Sequence, residues 1–570
     1  MVRRGISGLL AGLVLLVGQW AAAAESALDA ISSDAAVVIR IRSPKATIDK
    51  VATLVDLVQP PFGQQVRGQA QAIGIAISNP TLAGVDMSGD WYIAVYSPEE
   101  EGAQPGIVYV IPGKDLKAMK EGLGDEVVFH EHGTWGVYST DKDAAEAAKD
   151  RIGGEGDSIA KLIGKDSLAA IDKGDLAVFV NVAGLVKEYG DELEALKGQA
   201  SSALENLPEG ALPNIDTATL SEALGGALKT VAQAITDMDS LVFTINVSKQ
   251  GIAIEEFVKV KSGSPSDKFL GASSPDAFTT VGTLPGTQAL YFGLKTDMSA
   301  FMKAMSPLML ATSKDDDAKA AMKDVIAEFE KLKWGPVSGA VSFGGEEKRF
   351  QAVTVSEATP GDKLKTLFDK QLKLAQVNQQ AGIKTEVTHK KGAEKIGAYS
   401  ADIITVKMSA EDDAGPEAEQ AIKMANVLYG DDGIESRVVF LKDRMVQTMG
   451  GGQGAMKSAL EAFDSKTTKP SKAFTATRTK LSEKANFVAL VDVPAMIANV
   501  LGMVSEQGVL PVKIDSAMLE GLQLKESYLG FSVGTEPQAV RVTTFIPVEQ
   551  MQGIARLAIL AVSMQQMQNN

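Results

Sequence analysis

The pentapeptide GFSVG, Gly530 to Gly534, sets a serine between two glycines at the spacing of a serine-hydrolase nucleophile elbow. That chemistry needs Ser532 raised on a strand-to-helix turn beside an oxyanion hole, with a histidine base later in the chain. The residues that follow, AVRVTTFI, have the pattern of a second strand, and no histidine occurs beyond His389. Ser532 is therefore expected to be a structural residue of a hairpin, about where Ser342 stands in the earlier VSFGG. The chain has only three histidines, His130, His132 and His389. His130 and His132 are two apart on a predicted strand, so both rings face one side and, with a third ligand from elsewhere, would suit Zn²⁺ or Cu²⁺. The preferred reading is two solvated residues beside a turn at Gly133. Matching VVFHEHG to VVFLKDR sets Leu441 and Asp443 at their places, whereas matching VFHEHG to VTHKKG sets His389 at His130. The first match keeps the helix that follows.

The segment MGGGQGAMKS, from Met449, puts glycines between a strand and a helix, where free amides can cradle a phosphate. A Walker loop needs glycine directly before Lys-Ser, and Met456 stands there before Lys457; Gly450, Gly452 and Ala455 match only a loose dinucleotide fingerprint. A flexible turn is expected instead. YGDDGIES, from Tyr429, lacks the alternating oxygen ligands and closing glutamate of a calcium loop. The 72 acidic residues offer carboxylate pairs everywhere and single out none as acid and base. Methionines cluster at Met298, Met302, Met305 and Met309 and at Met551, Met564 and Met567, as gap fillers of a core or the lining of an apolar groove. No catalytic, cofactor-binding or metal-ligating residue is assigned, no cofactor is expected, and the chain is expected not to be an enzyme.

The elements that carry these motifs recur. Strand-first segments DAAVVIRIRS, GDLAVFVNVA, TQALYFGLKT and ANFVALVDVP begin at Asp34, Gly174, Thr287 and Ala485, and each leads into a helical pattern. After the second, Leu220, Leu224, Leu228, Val231 and Ile235 fall on one helix face. A hairpin follows each time. In SLVFTINVSKQGIAIEEFVKV, Leu241, Phe243, Ile245 and Val247 alternate with Val242, Thr244 and Asn246, the pattern of a sheet with one buried face. Two hairpins open into similar helices, PGKDLKAM at Pro112 and PGDKLKTL at Pro360, and the last runs from Pro547 into a C-terminal helix. Copies one and three add strand, turn, strand and helix, in VVFHEHGTWGVYSTDKDAAEAAKDRI and VVFLKDRMVQTMGGGQGAMKSALEAF, and copy three inserts a further hairpin around TEVTHKKGAEKIGAYSADIITV.

The order long, short, long, short predicts an α+β protein of two homologous halves, each an antiparallel sheet with helices packed on one face. The first half spans 25–262, with a long unit to about 160 and a short one from about 165. A Gly/Ser/Pro-rich linker covers 263–277, and the second half spans 278–570, its long unit ending near 466 and its short one starting near 470. The hairpin, small-residue break and helix of VVFLKDRMVQTMGGGQGAMKSAL resemble those of uncharacterised exported bacterial proteins carrying a repeated domain of unknown function. That resemblance, a pattern over most of the chain, implies no activity and no functional residue.

Arg3 and Arg4, the apolar run Ile6–Trp20 and the small residues Ala22 and Ala24 predict a signal peptide, residues 1–24, cleaved after Ala24. The protein is expected in the periplasm or outside the cell. The formal net charge of −16 disfavours nucleic acid and anionic lipid as partners. No cysteine is present, which excludes disulfides, thiolate metal sites and a lipid-attached cysteine, and no later run is long enough to span a membrane. These features predict a non-catalytic binding or scaffold protein of the cell envelope, whose partner is a protein or another envelope component. The alternatives are a carrier of an apolar ligand such as a lipid, held between helices and sheet, and a metal-dependent hydrolase centred on His130 and His132.

Overall fold

The computed structural model describes residues 26–98, 103–205, 217–285, 288–311, 316–343, 350–377, 383–411, 415–430, 432–464, 469–506 and 514–568. The expected signal peptide lies outside them. The protein is α+β, with extensive antiparallel sheet, and packs as two compact units: residues up to 49 with 64–184, and residues 50–63 with 185–570. No described helix is long and apolar enough to cross a membrane.

The first unit holds β1 (Val37–Ile41), β2 (Trp91–Tyr96), β3 (Gly106–Pro112), β4 (Val128–His132), β5 (Trp135–Ser139) and β6 (Leu176–Val180). They pair antiparallel in the order β4-β5-β3-β2-β1-β6. Trp91, Ile111 and Tyr138 anchor its core against Met119 of the helix Leu116–Gly122 and Ile77. That helix starts where Asp115 accepts the Ala118 N–H at 3.0 Å, satisfying one of the amides that the first turn leaves unpaired.

The second unit holds β7 (Met238–Ser248), β8 (Gly251–Val260), β9 (Leu290–Leu294), β10 (Lys333–Phe343), β11 (Phe350–Thr359) and β12 (Ile383–Ile396). It continues with β13 (Tyr399–Ala410), β14 (Ile434–Phe440), β15 (Arg444–Met449), β16 (Phe487–Val491), β17 (Leu529–Glu536) and β18 (Ala539–Pro547). The antiparallel order is β7-β8-β18-β17-β16-β9-β10-β11-β15-β14-β13-β12. Within it β14-β15-β11-β10-β9-β16 repeats the first unit's order strand for strand, and β12 and β13 extend the sheet beyond it.

Four expectations are corrected. Helices cover both faces of the second unit's sheet, not one. In β14, Val439 packs with Met456 and Leu460 of the helix Gly452–Asp464, while its neighbour Val438 packs with Phe368 of the helix Gly361–Val377. Adjacent strand residues point to opposite faces, so both are buried. The strand-first segments VVIRI, LAVFV, LYFGL and FVALV are near-continuous apolar runs, which is how strands covered on both sides read. In β7 Val242 and Thr244 are buried and Leu241, Phe243 and Ile245 only half-buried, against expectation, whereas Val247 is buried and Asn246 half-buried, as expected. Val231, expected on a packed helix face, is 57% exposed, and the side chain of Leu220 lies outside the described residues.

The fourth correction is at 263–277. Ser264 caps a short helix, Pro265–Ala272, by accepting the Asp267 N–H at 3.1 Å. The segment lies inside the second unit, where β8 pairs along its length with β18, 251–259 against 539–547. A continuous backbone ladder joins what the linker composition suggested was separate.

Candidate binding trough

Two motifs that the sequence singles out and leaves without a function, MGGGQGAMKS and YGDDGIES, meet in space. Gly450, Gly451 and Gly452 are all left-handed, with φ of 70, 67 and 58°. A methyl on Gly450 would press into the Phe350 carbonyl oxygen, and one on Gly451 would come within 2.5 Å of Gln351 Nε2 and 2.7 Å of Ala455 Cβ. The first two therefore need glycine for space as well as for conformation. Opposite this turn, the helix Pro416–Tyr429 ends at Gly430, whose φ of 87° redirects the chain and brings Tyr429 to the same space. Phe350 holds the Tyr429 ring edge to face at 5.2 Å. Burial pushes the Tyr429 phenol above its ordinary pKa.

Between these walls lies an open trough of about 770 Å³. Its floor is one face of β12 and β13, where Glu386 stands across from Lys407 and Thr388 across from Thr405. Thr405 in turn stands across from Glu435 of β14, whose carbonyl accepts the Gly450 N–H at 2.9 Å and so ties the turn to the floor. A further 230 Å³ continues the trough past Lys384 and Ser409. From Lys384 to Lys390 the floor runs about 20 Å at ~3.4 Å per residue. Lys390 and Lys407 are offset by Glu386, Asp432 and Glu435, so the surface is polar without a strong net sign. Beside it Arg437 donates to both oxygens of Glu394 at 2.7 and 2.9 Å and to Glu435 at 2.6 Å. The Arg437 hydrogen bonds hold the Glu394 carboxyl below its ordinary pKa.

The other candidates lie apart. Ser532 is fully buried in the middle of β17, not on a strand-to-helix turn, and its hydroxyl accepts the Ser482 N–H at 3.3 Å. It stands across from Val488 as Ala340 stands across from Tyr291, so its counterpart is Ala340 rather than Ser342. His130 and His132 lie on β4, and His132 is 8% exposed, so they are not the solvated pair expected. Two-residue turns close both hairpins, between His132 and Trp135 and between Leu441 and Arg444. Counting back from those turns sets His132 at Leu441 and His130 at Val439, a shift of two from the sequence match. Both counterparts are apolar: Val439 is buried in the core and Leu441, half-buried, packs against it. Among the described residues no three His, Asp or Glu side chains come together to hold a metal. His389 faces away from the trough, with Nε2 3.0 Å from Asp402 Oδ2 and its ring edge-on to Phe368. Lys457 pairs with Glu461 at 3.8 Å on an exposed helix face. Met298 and Met309 pack around buried Met302, as core filling.

The sequence pointed at Gly450, Gly452 and Tyr429 but missed Glu386, Thr388, Lys390, Thr405 and Lys407. Their signal was the inserted hairpin itself, a strand pair with no counterpart among the first unit's described strands. No family model and no curated protein matches the chain. A solved structure titled "Structure of crystal form III of TP0453" is matched at 10% identity and a TM-score of 0.20, over 50% of this chain and 99% of that one.

Proposed function

We propose that the chain is an exported, non-catalytic binding protein of the bacterial cell envelope, built from two homologous halves, and that the trough is where it binds. The observation that carries this reading is that the trough is floored by β12 and β13, a hairpin that lies outside the repeated strand order, inserted between the strands that match β3 and β4, with no counterpart among the first unit's described strands. An element added to one copy alone is where a duplicated scaffold acquires a surface of its own. The matching strand orders of the two sheets support the duplication. Buried Ser532 and buried His132 support the absence of catalysis. The test is retention of solubilised envelope components on the immobilised chain and on Thr388→Trp, which fills the trough from an exposed strand position that tolerates aromatics. A component held by the parent chain and lost from the variant is expected. Equal retention by both would refute the assignment of the trough.

A second reading, carriage of an apolar ligand between helices and sheet, rests on one observation. Leu290, Phe292, Phe487 and Phe531 share one sheet face and stay half-buried, whereas Tyr291, Val488 and Leu490 on the other face are sealed. Organic extraction of the purified chain followed by mass spectrometry should then release a lipid; none released would end this reading.

A further inference from the structure

Resting on the reading of the trough as a binding site, we propose that its ligand is a neutral oligosaccharide lying along β12 and β13. The lining eliminates the other classes. An apolar chain would bury Thr388, Thr405, Lys390 and Glu386 without partners, which is costly. An anion would meet Glu386, Asp432 and Glu435, and the Gly450 amide at the glycine turn already donates to the Glu435 carbonyl. A cation would meet Lys390 and Lys407, with no cluster of acids to hold it.

What remains is a ligand that is uncharged, rich in hydroxyls and apolar on its ring faces. Sugar hydroxyls both donate and accept, so they can use carboxylate, ammonium and threonine hydroxyl side by side. Tyr429 and Phe350 supply the aromatic wall on which the C–H face of a sugar ring rests, with the phenol as a polar tip. The shape agrees. The volume lies in the usual range for small-molecule sites, about 300–1,000 Å³, and the trough is open along a floor of about 20 Å. On that floor the side chains of one face recur every ~7 Å, a ladder suited to a repeating chain rather than to one compact molecule.

The test is titration calorimetry of the purified chain with cellohexaose, maltohexaose and chitohexaose. At least one should bind, with an affinity that changes less than about twofold between low and high salt, because neither counterions nor screening enter. Tyr429→Ala and the pair Thr388→Val with Thr405→Val should each weaken it by about tenfold or more, and Tyr429→Phe should retain most of it. Circular dichroism checks that each variant folds, and the threonine pair, on an open strand face, keeps the test independent of any damage at the helix end. The disaccharide of the same series should bind more weakly than the hexasaccharide.

Absence of heat with all three at about 1 mM, the weak end of specific binding, overturns the proposal. So does salt-sensitive binding of inorganic phosphate or oligogalacturonate in their place. The two readings fail separately. If Thr388→Trp loses an envelope component that the parent chain holds and no hexasaccharide competes for it, the sugar assignment falls and the binding trough stands. If retention is equal on both, the trough itself falls.

Discussion

The three consecutive left-handed glycines make a graded prediction, because each would meet different surroundings on gaining a methyl. At Gly452 nothing lies within 4 Å of the added carbon, so Gly452→Ala carries only the left-handed penalty, about 1–2 kcal/mol. At Gly450 the carbon would press on the backbone oxygen of Phe350, in a strand that cannot withdraw without breaking its ladder with β15. Overpacking of about 1–3 kcal/mol then adds to the same penalty, for roughly 2–5 kcal/mol. Gly451→Ala should fall between, since Gln351 can swing away but Ala455 is fixed on its helix. Urea unfolding followed by circular dichroism reads this order. With a slope of about 3 kcal/mol per molar, the midpoint should drop by roughly 0.3–0.7 M for Gly452→Ala and by roughly 0.7–1.7 M for Gly450→Ala. Gly452→Asn should lose less than Gly452→Ala, because asparagine visits the left-handed region more readily. Equal midpoints for Gly450→Ala and Gly452→Ala would refute the steric argument, and with it the claim that the turn is held rigidly against β11.

Ser532→Ala should cost about 1 kcal/mol through the lost Ser482 hydrogen bond and leave the background rate on nitrophenyl esters unchanged; a rate that collapses in the variant would restore Ser532 as a nucleophile. His130→Val puts the residue of the second hairpin into the first and removes a buried ring nitrogen that has no hydrogen-bond partner. It should stabilise by about 1 kcal/mol and leave zinc and copper content unaltered by elemental analysis; a loss of bound metal would revive the metal reading. Asp492, 4% exposed, accepts the Ala495 N–H at 3.1 Å and the Ser527 N–H at 3.2 Å, and burial raises its carboxyl above the ordinary value. An acid whose folded pKa is raised favours folding below its unfolded pKa, near 3.9, and loses that contribution as pH rises through the folded value. The margin of the parent chain over Asp492→Asn should therefore shrink as pH rises from about 4, read from urea midpoints; a margin that widens would contradict the sign.

Local patterns told most about the elements. The period of two in SLVFTINV and the break before GIAIEEFV mark β7 and β8, and the inserted TEVTHKKGAEKIGAYSADIITV marks β12 and β13, as strand pairs. The helix openings after Pro112 and Pro360 are also local, set by one proline, a glycine and the apolar spacing behind them. Which side of a strand is buried was less legible. Thr244 is more deeply buried than Phe243 because helices cover both faces, and alternation within one strand says nothing about what is laid over each side. The histidine match slipped by two residues for a related reason. Pairing register is set by the turn, and a sequence comparison that aligned VVF with VVF had no means of counting the turn residues.

Left to itself, the amino-acid sequence determined the alternation of strands, hairpins and helices and a chain held together without a disulfide. Each of these follows from neighbours within a few turns or strands of chain. The tertiary structure alone decided that both sheet faces are covered, that β8 joins β18, and that Thr388, Tyr429 and Gly450 border one trough. Those facts depend on contacts between residues tens to hundreds of positions apart, and such contacts arise only when the whole chain has chosen which apolar surfaces to bury together.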